Sequence, residues 1–377
     1  MHIALKFNKI LFILLFPVLG LVYCSNREKS TKAAPEDPKP RLEQLIGEMI
    51  IVGLDGTTLS QNPSVKKYLE KDELGGIILY EKNISKVNSA ELLKNFCAEI
   101  QKASPNFTFI GIDQEGGTVN RLKTKYGFPK SVTAKYLGDL NNVDSSKYYA
   151  EVMSKTLIDL GINVNFTPCV DLCSNPDNPI IAKFGRCYSD NPEIVTKHAS
   201  VFSNTLWENK ILPVLKHFPG HGSSKGDTHL GMADVTTVWT KNELVPYEQM
   251  IKNGAAPAIM SAHIINAKLD PDTLPSTLSK PILTGMLRNQ LGFNGLIFSD
   301  DMQMRAISDH YGLENAILMA VNAGIDVLMF SGNIPGTETP TIERVHTTFK
   351  KLVDEGKISE ERLMESYTRI KAAKLKM

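Results

Sequence analysis

The stretch from Lys216 to His229 holds a dense set of groups able to move protons or grip a polar ligand. It reads Lys216-His217-Phe218-Pro219-Gly220-His221-Gly222, then Asp227-Thr228-His229. Asp227 and His229 stand two apart, so a carboxylate can hold one imidazole nitrogen while the other faces a substrate. Such an arrangement fixes the tautomer and keeps a proton available. The preceding apolar run, Ile211-Leu212-Pro213-Val214-Leu215, reads as a short buried strand, which places Lys216 and His217 at its end. Gly220, Gly222 and Gly226 supply permissive backbone positions, the composition of a loop able to fold over a pocket. One histidine alone would more simply be a structural residue of a solvated loop. Three histidines with a lysine and an aspartate mark a site.

Other apolar runs also end in charge. Asp113 ends the run 108–113, Asp171 ends 163–171, His263 ends 258–263, and Asp300 ends 295–300 with Asp301 beside it. With 49–54, 76–80, 212–217 and 326–330, these make eight strand-like segments. Helical patterns lie between them at 89–102, 145–160, 192–209, 242–253, 280–291 and 313–322, and a last one covers 359–376. Asn242 and Ser359 stand where helix N-caps are expected, and Gly161, Gly254 and Gly324 where helices stop. A doubly wound open sheet would show similar alternation, but no Gly-x-Gly-x-x-Gly follows the first strand. Eight α/β units close naturally, so the expected fold is a (β/α)8 TIM-type barrel, a single catalytic domain over 41–377. Barrel active sites sit at the C-terminal ends of the strands, where these charges fall.

The chain has 377 residues, 42% hydrophobic and 22% charged, enough for a substantial core. Its formal net charge of +1 gives no electrostatic case for a nucleic-acid partner. Near the start, Lys6 and Lys9 precede an almost wholly apolar run, 10–22, that ends in Leu21-Val22-Tyr23-Cys24-Ser25. That run is short for a membrane span and fits the apolar core of a secretory signal. The cysteine resembles a bacterial lipoprotein cleavage site. The expectation is a signal segment over 1–24, lipidation at Cys24, and a body held on the periplasmic or cell-surface side of a membrane. Residues 25–40 are mostly Ser, Lys, Glu and Pro, a composition that cannot offset its ordering entropy by burial, and they read as a disordered tether. Cys169 and Cys173 lie along one extended run, where four residues span roughly 13 Å, too far for a direct bridge. Buried free thiols are therefore expected at Cys97, Cys169, Cys173 and Cys187. No tight Cys/His spacing argues for a metal, and no cofactor is expected.

Three motifs carry a specific resemblance: Ile112-Asp113-Gln114-Glu115-Gly116-Gly117, the segment from Lys216 to His229, and Phe298-Ser299-Asp300-Asp301-Met302. Together with Asn175-Pro176-Asp177-Asn178-Pro179 and Pro275-Ser276-Thr277-Leu278-Ser279, they resemble glycoside hydrolase family 3. More narrowly, they are similar to its single-domain β-N-acetylglucosaminidases that trim cell-wall muropeptides. The resemblance implies a retaining exo-glycosidase acting on a carbohydrate ending in GlcNAc. Asp300 would be the nucleophile, and His229 supported by Asp227 the general acid/base. Asp113, Arg121, Arg186, Lys216 and His217 would grip the sugar, with His263 lining the same pocket. Thr118 stands where relatives often carry arginine. The chemistry agrees: retaining hydrolysis needs a carboxylate at the anomeric carbon and a proton donor on the leaving-group side. An imidazole held by a carboxylate can be that donor. Other readings are a β-glucosidase-like enzyme, a phosphorolytic one in which phosphate replaces water, or a non-catalytic wall-binding lipoprotein. The last would be signalled by loss of Asp300 or His229, and both are present.

Overall fold

Each apolar run becomes a short strand, buried because one face meets the filled barrel interior and the other the surrounding helices, while neighbouring strands pair along its edges. A computed structural model describes residues 39–377; Cys24, the signal segment and nearly all of the expected tether lie outside the described residues. The eight barrel strands are, in chain order, Ile50–Gly53, Gly76–Leu79, Phe109–Ile112, Val164–Asn165, Leu212–Phe218, Ala258–Ser261, Leu296–Asp301 and Val327–Phe330. All neighbours are parallel and successive in sequence, and the eighth strand pairs back on the first through Ile50 and Leu328, so the sheet closes. The architecture is thus a (β/α)8 barrel. Inside it Phe109 and Phe166 pack against Phe298, with ring centroids 6.3 and 5.8 Å away. At the lower rim, fully buried Asp326 is held by Arg288, Ser366 and Arg369. Charge at that end ties the last helix to the barrel, a stabilising role.

Three local features differ from the sequence reading. The fourth strand keeps its regular ladder for two residues only, because Pro168 has no N–H to donate. The chain nevertheless stays beside the fifth strand, with Val170 N–H donating to the Lys216 carbonyl at 2.8 Å, and so delivers Asp171 to the upper rim. Asn242 is not an N-cap. A 3-10 turn occupies Lys241–Leu244, and the α-helix proper, Val245–Lys252, begins at Val245 with Pro246 in its first turn, where a missing N–H costs nothing. The pattern seen at 313–322 is the second half of a longer element, Arg305–Ala323, interrupted at Gly312, whose φ of 66° favours glycine. Ser359 does cap its helix, its side chain accepting from Arg362 N–H. Gly161 stops the second long helix in a left-handed conformation.

The thiol expectation is half overturned. Cys97 and Cys169 are buried and free, but Cys173 and Cys187 form a disulfide. The segment between them doubles back as a loop, which brings their Cα atoms to 5.5 Å. An extended run holds Cys169 and Cys173 apart, whereas a returning loop lets residues 14 apart meet.

Candidate active site

At the upper rim, buried charges occur in alternation, because an ion removed from water must be matched by its opposite. Lys216 Nζ lies 2.7 Å from both Asp113 Oδ1 and Glu115 Oε1. Glu115 takes a bidentate pair from Arg186, at 2.8 and 2.9 Å. Arg186 Nη2 in turn reaches His217 Nε2 at 3.2 Å, and His217 Nδ1 reaches Asp171 Oδ2 at 2.7 Å. An arginine can only donate, so Nε2 is the acceptor and Nδ1–H points at Asp171. Asp171 also accepts the backbone N–H groups of His217 and His221. Arg121 completes the set, 3.4 Å from Asp113 and with its guanidinium over the Tyr80 ring.

Burial pushes the carboxyls of this network up, but their cations outweigh it. Lys216 and Arg121 hold Asp113 below its ordinary value, and Arg186 with Lys216 brings Glu115 down to about 2. Asp171 is lowered against its own burial by His217 beside it and by the hydrogen bonds it accepts from His217 and the His221 backbone N–H. All three are therefore anionic at neutral pH. Burial and the adjacent His217 lower His221 to about 4, so it is neutral.

Asp113, Arg121, Arg186, Lys216, His217 and His221 line a pocket of about 450 Å3 together with Asp300 and His229. Asp300 is the penultimate residue of the seventh strand, with its Oδ1 accepting Asp301 N–H at 2.8 Å. Burial raises its carboxyl, but His263, His217 and His229 outweigh this and leave it below the ordinary aspartate value, hence ionised. Asp301 behaves differently. Its oxygens accept from Gln303 N–H, Ser331 N–H and the Ser331 hydroxyl, and burial pushes it up to about 6. It ties the ends of the seventh and eighth strands together and does not line the pocket.

The loop after the fifth strand divides into two parts. From Pro219 to Ser224 it is buried. There Gly222 lies so close to the Leu172 carbonyl that a Cβ would sit 1.9 Å from it, and a Cβ on Gly220 would strike Glu243. Both glycines thus serve close packing and not mobility. Beyond them the chain emerges, and the half-exposed His229 donates or accepts through Nδ1 at 2.7 Å from Asp227 Oδ1. Among the described residues, its other nitrogen has no hydrogen-bond partner. A two-residue parallel ladder, Ala233–Asp234 with Ile264–Ile265, returns the loop to the barrel.

Glu243 anchors the stem, its Oε2 accepting Gly222 N–H at 3.0 Å. Burial raises its carboxyl to about 7. Between pH ~4.5 and ~7 the folded protein therefore binds more protons than the unfolded one, and stability falls as pH rises through that window, by about 3 kcal/mol for this group. Denaturant unfolding across the window should show a flatter profile for Glu243→Gln. Parallel profiles for the two proteins would contradict this.

Of the residues singled out in the sequence, Asp113, Arg121, Arg186, Lys216, His217, His229 and Asp300 line one pocket. Asp227 acts from behind His229. His263 is a correction: it is fully buried and lies outside the lining set, its Nε2 donating to the Asp301 carbonyl at 2.9 Å and its Nδ1 meeting the Thr277 hydroxyl at 2.9 Å. It braces the strand that carries Asp300. Sequence reasoning left out Tyr80, Glu115, Asp171 and His221 as site residues. Glu115 and His221 stood inside the quoted motifs, and Asp171 at a strand end, so a signal existed for each.

Residues 41–373 match the model of the glycosyl hydrolase family 3 N-terminal domain. Beta-hexosaminidase A of Pseudoalteromonas piscicida is 32% identical over 337 residues, covering 84% of this chain and 55% of that protein. A beta-hexosaminidase of Nitrosomonas eutropha is 32% identical over 289 residues, covering 74% of this chain and 79% of that one. Among solved structures, a family 3 beta-N-acetylglucosaminidase from Paenibacillus sp. FPU-7 superposes with a TM-score of 0.81 at 30% identity, over 89% of this chain and 62% of that one. The chain thus spans little more than half the length of the first of these relatives.

Proposed function

The chain belongs to glycosyl hydrolase family 3, and from that premise we propose that it is a retaining exo-β-N-acetylglucosaminidase that removes terminal GlcNAc from peptidoglycan fragments. The observation that carries the reading is the pairing of an ionised carboxylate, Asp300, with the Asp227–His229 couple around one pocket. Asp300 attacks the anomeric carbon while the imidazolium of His229 gives its Nε2 proton to the departing oxygen, its Nδ1–H held by Asp227. The neutral imidazole then takes a proton from water as that water opens the glycosyl-enzyme, so the residue is acid in one step and base in the next. Asp113, Lys216, Arg186 and Arg121 supply charge-assisted hydrogen bonds to sugar hydroxyls, in a geometry their mutual pairing fixes in advance.

An aryl β-GlcNAc should be hydrolysed with a much higher kcat/KM than the matching β-glucoside, with β-GlcNAc as the first-formed product by NMR. Equal rates on the two glycosides would overturn the reading in favour of a glucosidase. Accumulation of a sugar 1-phosphate when phosphate is added would make the enzyme phosphorolytic; a histidine in place of a second carboxylate repels phosphate less. The proposal extends to export and lipidation at Cys24, which rest on the apolar run before that cysteine. Cys24→Ala should move the protein from the membrane fraction to the soluble one, or leave an unprocessed precursor. Unchanged fractionation and mass would dismiss the anchor.

A further inference from the structure

Four arginine or lysine side chains line the pocket: Arg121, Arg186, Lys216 and Arg305. The first three are committed to Asp113 and Glu115. Arg305 is not. Among the described residues this half-buried guanidinium has neither an ion pair nor a hydrogen bond, although its Nη2 lies so near Gly336 that a Cβ there would approach to 3.2 Å. An unpaired guanidinium lining a pocket whose other cations are already neutralised is a site for an anion that the protein itself does not provide.

The position of Arg305 says which part of a ligand it meets. It opens the helical element Arg305–Ala323 that follows the Asp300 strand, and the next residue, Ala306, donates its N–H to the carbonyl of Thr228 at 3.4 Å. Thr228 lies between Asp227 and His229. Arg305 is thereby joined to the loop that carries His229. With His229 as the acid, that side of the pocket is where the leaving group departs. Asn333, Ile334 and Pro335, from the loop after the eighth strand, line the same pocket next to the Gly336 turn.

We propose that Arg305 is a specificity residue for the leaving group, and that the preferred leaving group carries a carboxylate. The proposal rests on the glycosidase reading above and deepens it. A substituted sugar with a carboxylic-acid side arm satisfies the guanidinium, whereas a neutral sugar leaves it unmatched. A hydrogen bond to a charged group of this kind is worth about 10- to 100-fold in kcat/KM.

The test compares the disaccharide GlcNAc-β-1,4-MurNAc, with its lactyl carboxylate free, against the methyl ester of that carboxylate, in the full chain and in Arg305→Met and Arg305→Lys. The readout is the acid-to-ester ratio of kcat/KM within each enzyme, which does not depend on how much of a variant is folded. The expected ratio is about 10 or more in the unaltered protein, near one in Arg305→Met and intermediate in Arg305→Lys. A ratio near one in the unaltered protein, or a preference that survives in Arg305→Met, would overturn the assignment while leaving the glycosidase reading intact. Failure of the unaltered protein to release GlcNAc from an aryl β-GlcNAc would instead remove the premise. Loss of phosphate-dependent sugar 1-phosphate formation in Arg305→Met, without any acid-to-ester preference, would move Arg305 to the acceptor and also overturn the proposal.

Discussion

Asp300→Asn should lower turnover about 10⁴-fold or more, because an amide cannot form the glycosyl-enzyme and the remaining site only positions the sugar. Its neighbour gives the contrast. Asp301→Asn keeps an acceptor for Gln303 N–H and Ser331 N–H and offers its amide to the Ser331 hydroxyl, all contacts made away from the pocket. That variant should retain most of its turnover once folded and lose about 1 kcal/mol of stability. Steady-state rates on an aryl β-GlcNAc, with a denaturant titration of each variant, check both parts. An active Asp300→Asn, or an inactive but fully stable Asp301→Asn, would exchange the roles of the two aspartates.

The second large effect concerns the proposed proton donor. His229→Ala should reduce the glycosylation rate on a natural sugar leaving group by about 10²–10⁴-fold. An aryl glycoside with a good leaving group needs little protonation, so its first step should be nearly spared while breakdown of its glycosyl-enzyme slows. Asp227→Ala should follow the same pattern, since its carboxylate holds the imidazole nitrogen that faces away from the substrate. The double variant should be little worse than either single one, as groups acting in one unit are non-additive. Pre-steady-state bursts on the activated substrate and steady-state rates on the disaccharide separate the steps. Equal losses on both substrates would mean that His229 binds sugar and that the donor lies elsewhere.

The barrel could be read from the chain because each strand is a bounded apolar run and the polar residues that matter end those runs. Asp113, Lys216, His217 and Asp300 were visible by that rule alone. Residues whose roles depend on partners far along the chain were harder to see. Glu115 meets Arg186 across 71 residues and Asp171 meets His217 across 46, and no local period encodes either pair. The same cause hid the Cys173–Cys187 bridge, which depends on how a loop returns. His263 misled in the opposite way: a strand-end histidine satisfies the rule, yet its ring is turned into the core, where Thr277 and the Asp301 carbonyl use both nitrogens. Arg305 gave no signal in sequence, because its significance is the lack of a counterion in a pocket whose other cations are paired.

The central claim is that Asp300 becomes covalently bonded to the sugar. Its most direct test is peptide mapping by mass spectrometry after reaction with a fluorinated N-acetylglucosaminyl donor that slows breakdown of the intermediate. A single labelled peptide is expected, with Asp300 bearing the sugar, and no label in Asp300→Asn. A label on Asp301 or on another side chain, or no label from a donor that nonetheless turns over, would contradict it.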